Sequence, residues 1–102
     1  MKPAEIFYTR RAEDDLTSVF DYIAEKNPEN ALNYIDKIQE EIENLSRLPF
    51  IGVDCRNKGI ERDCRILIFE NYLIFYEYDK TTNEITILRI LHGSRKYQNL
   101  LK

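Results

Sequence analysis

The hydrophobic period along the chain changes at Pro49, from helical spacing before it to strand-like runs after it. Glu5–Ile6–Phe7–Tyr8 reads as a short strand, and Thr9 offers a hydroxyl to cap a helix that follows. From Arg10 to about Lys26 the apolar residues are Ala12, Leu16, Val19, Phe20 and Ile23, one face of a helix with charges around the rest. Asn27–Pro28 ends that helix and starts another, since asparagine caps and proline is tolerated at the first helical position. Ala31, Ile35, Ile38, Ile42 and Leu45 then recur at spacings of four and three, an amphipathic stripe ending before Pro49. The short connection makes the two helices an antiparallel hairpin.

Residues 49–59 read as loop. Arg62 to Phe69 is the next strand candidate, with Glu70–Asn71 as a tight turn into Tyr72 to Tyr78. A turn over 79–83 leads into Ile85 to Leu91, which is apolar except for Thr86 and Arg89 and rich in β-branched residues. That is the pattern of a strand buried on both faces. It ends abruptly in His92–Gly93–Ser94–Arg95–Lys96–Tyr97, and Leu100 and Leu101 follow in a tail expected to pack back on the body. The fold class is therefore α+β: an N-terminal strand, then a helical hairpin on one face of a curved antiparallel sheet, β-α-α-β-β-β, with a short C-terminal tail. Residues 1–102 are expected to form a single domain.

Composition narrows the function classes. Hydrophobic residues make up 43% and charged residues 32%, an ordinary globular balance rather than a disordered one. No run approaches the roughly 20 apolar residues of a membrane span, and the first residues carry no apolar segment of signal-peptide length, so a cytoplasmic protein with no membrane partner is expected. Residues 1–48 hold six Lys/Arg against eleven Asp/Glu, and residues 49–102 hold nine against seven, an acidic first half before a mildly basic second half. Cys55 and Cys64 are expected as reduced thiols in such a protein. With one histidine and no CxxC or HxxxH spacing, neither a metal site nor a cofactor is expected.

Several stretches taken in order resemble the RelE/ParE superfamily of toxins from bacterial type II toxin–antitoxin systems. They are Ala12–Glu13–Asp14–Asp15–Leu16 with Tyr22–Ile23, the helix from Ala31 to Leu48, and Pro49 with Gly52. Arg62 and Arg65 ahead of Tyr72–Leu73–Ile74–Phe75–Tyr76–Glu77 follow, and then Ile87 through Tyr97. The resemblance covers essentially all of the chain. It implies a protein that arrests growth unless a cognate antitoxin is bound, the antitoxin's C-terminal segment wrapping the toxin. RelE-like members cut mRNA in the ribosomal A site, whereas ParE-like members inhibit DNA gyrase.

Cleaving RNA requires a base for the 2′-OH, charge neutralisation at phosphate and an acid for the leaving oxygen. His92 and Tyr97 are the candidates for proton transfer, with Arg62, Arg65 and Arg95 supplying charge. The His–Gly–Ser–Arg–Lys–Tyr end followed by leucines looks more like ParE-type sequences. A net charge of −3 also fits poorly with work inside ribosomal RNA. Gyrase inhibition is thus the favoured reading, with Arg62, Arg65, Arg95, Lys96 and Tyr97 as target-binding residues. The alternatives are a ribosome-dependent mRNA endonuclease and a non-toxic module that binds an antitoxin.

Each candidate also has a plainer reading. Arg62 and Arg65, three apart in one strand, fall on opposite faces. Arg89 is expected to emerge on the less covered face or to pair with Glu77 or Glu70. His92 has the option of only hydrogen-bonding a backbone carbonyl. Tyr72, Tyr76 and Tyr78 share a face as packing residues, and Tyr22 and Tyr34 stitch the outer surface of the hairpin.

Overall fold

The structure, a computed structural model, describes residues 2–94. Its elements are β1 (Glu5–Tyr8), α1 (Arg10–Lys26), α2 (Pro28–Glu43), β2 (Val53–Asp54), β3 (Arg65–Phe69), β4 (Tyr72–Asp79) and β5 (Glu84–His92). Short 3-10 turns occupy Asn44–Ser46 and Cys55–Lys58. The five strands form one sheet in the order β1-β5-β4-β3-β2. The three strands expected after the hairpin pair antiparallel, joined by the short turns the sequence marks. β1 lies parallel to β5, Ile6 opposite Ile85 and Tyr8 opposite Ile87, so the sheet is mixed. Parallel pairing needs a long connection, and both helices and three strands intervene between these two.

α1 starts where the sequence marks it. The Thr9 hydroxyl accepts from the Ala12 amide at 3.0 Å and donates to the Leu88 carbonyl at 2.9 Å, which ties the helix start to β5. The break between helices works differently from expectation. Pro28 stands at the start of α2, but the Asn27 side chain makes no capping bond; its backbone amide bonds Ile23 and its carbonyl accepts from Asn30. The apolar stripe of α2 outlasts the helix itself, because Leu45 lies fully buried in the 3-10 turn after Glu43.

Both faces of the sheet carry apolar residues. On the helix-covered face Ala12, Val19, Ile38, Ile42 and Leu45 meet Tyr72, Ile74, Tyr76, Ile85, Ile87 and Ile90. On the opposite face Cys55, Ile60 and Cys64 meet Ile66, Phe75, Leu88 and Leu91. β5 supplies both by alternation, and a bulge at Leu88, where Phe75 faces Arg89 while Tyr76 faces Ile87, shifts the phase so that Leu88 and Ile90 lie on opposite faces. Its near-continuous hydrophobicity thus reports burial on both sides, as the sequence implied.

Three expectations are corrected. Cys55 and Cys64 are joined in a disulfide rather than standing as free thiols. The Asp54–Arg65 rung of the β2–β3 pair brings the two cysteines to the next position, with the Cys55 amide bonding the Cys64 carbonyl at 3.0 Å. β3 begins at Arg65 and not Arg62, because the Cys64 amide folds back onto the Arg62 carbonyl and bends the chain. Arg89 reaches neither Glu77 nor Glu70. It forms a forked ion pair with Asp15 of α1, Nε to Oδ2 at 2.8 Å and Nη2 to Oδ1 at 3.0 Å. Leu100 and Leu101, expected to pack back on the body, lie outside the described residues.

Candidate functional site

The candidate residues lie at two separate places on the sheet. At one end β5 delivers His92 beside Tyr72, the rings meeting edge to face at 5.4 Å between centroids. The His92 Nδ1 accepts the Ser94 amide at 3.2 Å and lies 2.8 Å from the Ser94 hydroxyl, while the Gly93 amide donates to the Asn71 carbonyl. A backbone amide can only donate, so Nδ1 is an acceptor here and the neutral ring carries its proton on Nε2. His92 is therefore engaged with a backbone amide rather than a carbonyl.

Arg65 lies at the start of β3, opposite Tyr76. Its Nη1 donates to the carbonyls of Gly52 at 2.8 Å and Phe50 at 3.2 Å, and its guanidinium lies over the Phe50 ring. The Tyr76 hydroxyl accepts from the Gly52 amide and donates to the Pro49 carbonyl, each at 2.9 Å. Burial raises the Tyr76 pKa, and the Gly52 amide and the Arg65 charge oppose the rise. Arg65 and Tyr76 thus clamp the 49–52 loop. Gly52 is required there because a Cβ would fall 2.7 Å from the tyrosine oxygen and 2.9 Å from the Ile66 carbonyl. Arg62 makes an ion pair with Glu77, which follows Tyr76 on β4 and so points to the other face.

His92 sits opposite Tyr72 and Arg65 opposite Tyr76, which separates the two places by about 13 Å along β4 and by two strand spacings, about 10 Å, across the sheet. The fold does not bring these two together. Arg95, Lys96 and Tyr97 lie outside the described residues. Among the described residues no group of three or more His, Cys, Asp or Glu could hold a metal ion, and no helix is long and apolar enough to cross a membrane.

Two features escape sequence reading. The Asp15–Arg89 pair also accepts the Ile90 amide at 2.9 Å, so one carboxylate seals the rim of β5 beyond the end of β1. An arginine amid apolar strand residues was the available signal, but its partner lies 74 positions away. The second feature is a hollow of about 400 Å³ bounded by Tyr8, Leu16, Phe20 and Ile35, with Glu13 at its rim. Phe20 belongs to this hollow rather than the core, being 36% exposed. Beside it Asp36, Glu40 and Glu43 form an acidic ledge along α2. Of the hairpin tyrosines, Tyr22 is exposed, but Tyr34 turns inward onto Phe69 and Tyr72.

A model of the family described as the ParE toxin of the type II toxin–antitoxin system parDE matches residues 6–97. The chain belongs to this family. It is a toxin of a type II toxin–antitoxin system within the RelE/ParE superfamily, and the matched span takes in both helices, β2 to β5 and all of β1 but Glu5.

Solved structures agree on the fold. The chromosomal ParDE toxin–antitoxin system from P. aeruginosa aligns with a TM-score of 0.67 at 26% identity, over 87% of this chain and 95% of that one. The toxin–antitoxin complex RelBE2 from Mycobacterium tuberculosis aligns with a TM-score of 0.56 at 22% identity, over 88% and 98%, a likeness of fold alone. No curated protein matches the sequence significantly.

Proposed function

We propose that this ParE-family toxin arrests growth in the cytoplasm by inhibiting DNA gyrase when no antitoxin is bound. The observation that carries the reading is the ParE family match over residues 6–97. Two further features support it. The net charge of −3 suits a protein target better than the phosphate-lined interior of a ribosome. The separation of His92 from Arg65 gives these two no shared phosphate to act on, since acid–base and charge-stabilising groups must converge on one reacting centre. Target contacts are assigned to Arg62, Arg65, Arg95, Lys96 and Tyr97. An antitoxin protein is the regulatory partner, as the similar structures are toxin–antitoxin complexes.

The test pairs two assays on the purified chain. In a supercoiling assay with purified gyrase, addition of the chain is expected to block supercoiling, and Arg95→Ala with Tyr97→Ala to relieve the block. In a reconstituted translation system the message is expected to stay intact. Cuts that require translating ribosomes, with gyrase unaffected, would replace this reading with mRNA cleavage. Inactivity in both assays, with no growth arrest on expression, would leave a module that binds antitoxin and poisons nothing.

A further inference from the structure

The sheet face turned away from the helices is covered, among the described residues, by the segment between β2 and β3. Its contributions are Cys55, Ile60 and Cys64, which close over Ile66, Phe75, Leu88 and Leu91. The rest of the segment is exposed or only partly covered and is polar apart from Gly59. It is also tied to β4 by the part-exposed Arg62–Glu77 ion pair at 3.4 Å. The Cys55 amide bonds Cys64, the Ile60 amide bonds Cys55, and Asp54 caps the Arg56 amide. Arg56 approaches Asp54 and Asp63 only at 3.8 and 3.9 Å on the surface, where ion pairs contribute little.

We propose that the Cys55–Cys64 disulfide is a redox-operated latch on this cap: oxidised it holds the segment shut over the second face of the sheet, and reduced it lets the cap open while the helical layer stays folded. The inference does not depend on which target the toxin binds. The bridge spans nine positions, and removing such a cross-link multiplies the open fraction on the order of a hundredfold by loop-closure entropy. The helix-side core contains none of the cap residues, which confines the loosening. The loosening does reach one other place. Arg65 follows Cys64 directly and its guanidinium holds the carbonyls of Phe50 and Gly52, so the 49–52 loop is clamped from the end of the cap.

The reaction is exchange with a dithiol. One thiolate attacks a cysteine sulfur, breaking the bridge, forming a mixed disulfide and releasing the other cysteine as a thiolate that takes up a proton. The second thiol of the reductant then displaces the first cysteine. Two electrons and two protons pass to the protein and the reductant leaves as its own disulfide. Cys55 is fully buried and Cys64 nearly so, which means the attack waits on transient opening of the cap.

Hydrogen–deuterium exchange on the whole chain, with and without dithiothreitol, tests this. Reduction is expected to speed exchange of amides in 53–64, and of Gly52, by about ten- to hundredfold, while α1 and α2 keep their protection. The Cys55→Ser, Cys64→Ser double variant should show the faster exchange whether or not reductant is present. Reduction of the folded chain should also be at least about tenfold slower than reduction in urea, because the sulfurs are buried. Unchanged exchange on reduction overturns the proposal, and so does loss of protection throughout the helices, which would make the bridge a staple for the whole fold. Stoichiometric alkylation of both cysteines in the native chain without reductant would also overturn it.

Discussion

Arg89 shows what one polar residue in an apolar strand can require of the rest of the chain. Its side chain and that of Asp15 are 14% and 12% exposed, so both charges have left most of their water. The pairing repays that loss only because the geometry is forked and Asp15 Oδ2, which takes Arg89 Nε, also takes the Ile90 amide. Its bonds to Asp15 hold the Arg89 pKa above its ordinary value, against the opposing effect of burial. Replacing Asp15 with Ala strands a guanidinium and an amide together and is expected to cost about 3–5 kcal/mol in urea unfolding. Asp15→Leu combined with Arg89→Met removes both charges and should cost clearly less than the single change. Equal costs for the single and double variants would mean that the pair is not coupled. The sequence announced that Arg89 was anomalous but not which acid it met, since Asp14, Asp15 and Asp21 all lie on the same helix.

The boundaries of the elements depend on a small number of hydrogen bonds. Thr9 joins α1 to β5 through two of them, and Thr9→Ala is expected to lower stability by about 1–2 kcal/mol, whereas Thr9→Ser retains most of it. If serine were as damaging as alanine, the methyl group rather than the hydroxyl would be the source. The 49–52 loop rests on Tyr76 and Arg65. Gly52→Ala must push the tyrosine hydroxyl or the Ile66 carbonyl aside, and an overpacked site of this kind costs about 1–3 kcal/mol. Tyr76→Phe, which leaves the Gly52 amide and the Pro49 carbonyl without their partner, should cost a similar 1–3 kcal/mol, roughly. A loop unaffected by either change in thermal unfolding would show that the clamp carries no stability. The helices were legible from their stripes, and the late strands from apolar runs bounded by turns. β2 was not, because a two-residue strand has no period to read.

Across the whole molecule, tyrosines bind the layers and should set its response to alkali. Burial, with the charge of Glu43 adding to it, pushes Tyr8 up to about 12; burial, with its bond to Glu70 second, does the same for Tyr34. An unfolded chain releases these protons near 10 while the folded chain keeps them, so the stabilisation is complete below pH 10 and is lost as pH rises towards 12. Urea midpoints should therefore fall steeply over that window, and Tyr8→Phe should flatten the slope; an unchanged slope would remove Tyr8 as a cause. On its own the sequence determined the α+β class, the helical hairpin, the antiparallel late strands, the burial of β5 and the likeness to RelE/ParE toxins. Those features follow from local period, turn chemistry and residue order, which are written along the chain. The tertiary structure alone decided that β1 runs parallel to β5, that Arg89 meets Asp15, that Cys55 bonds Cys64, and that Arg65 and His92 stand apart on the sheet. Each of these depends on which distant segments become neighbours, and strand order and the packing of helix on sheet set that.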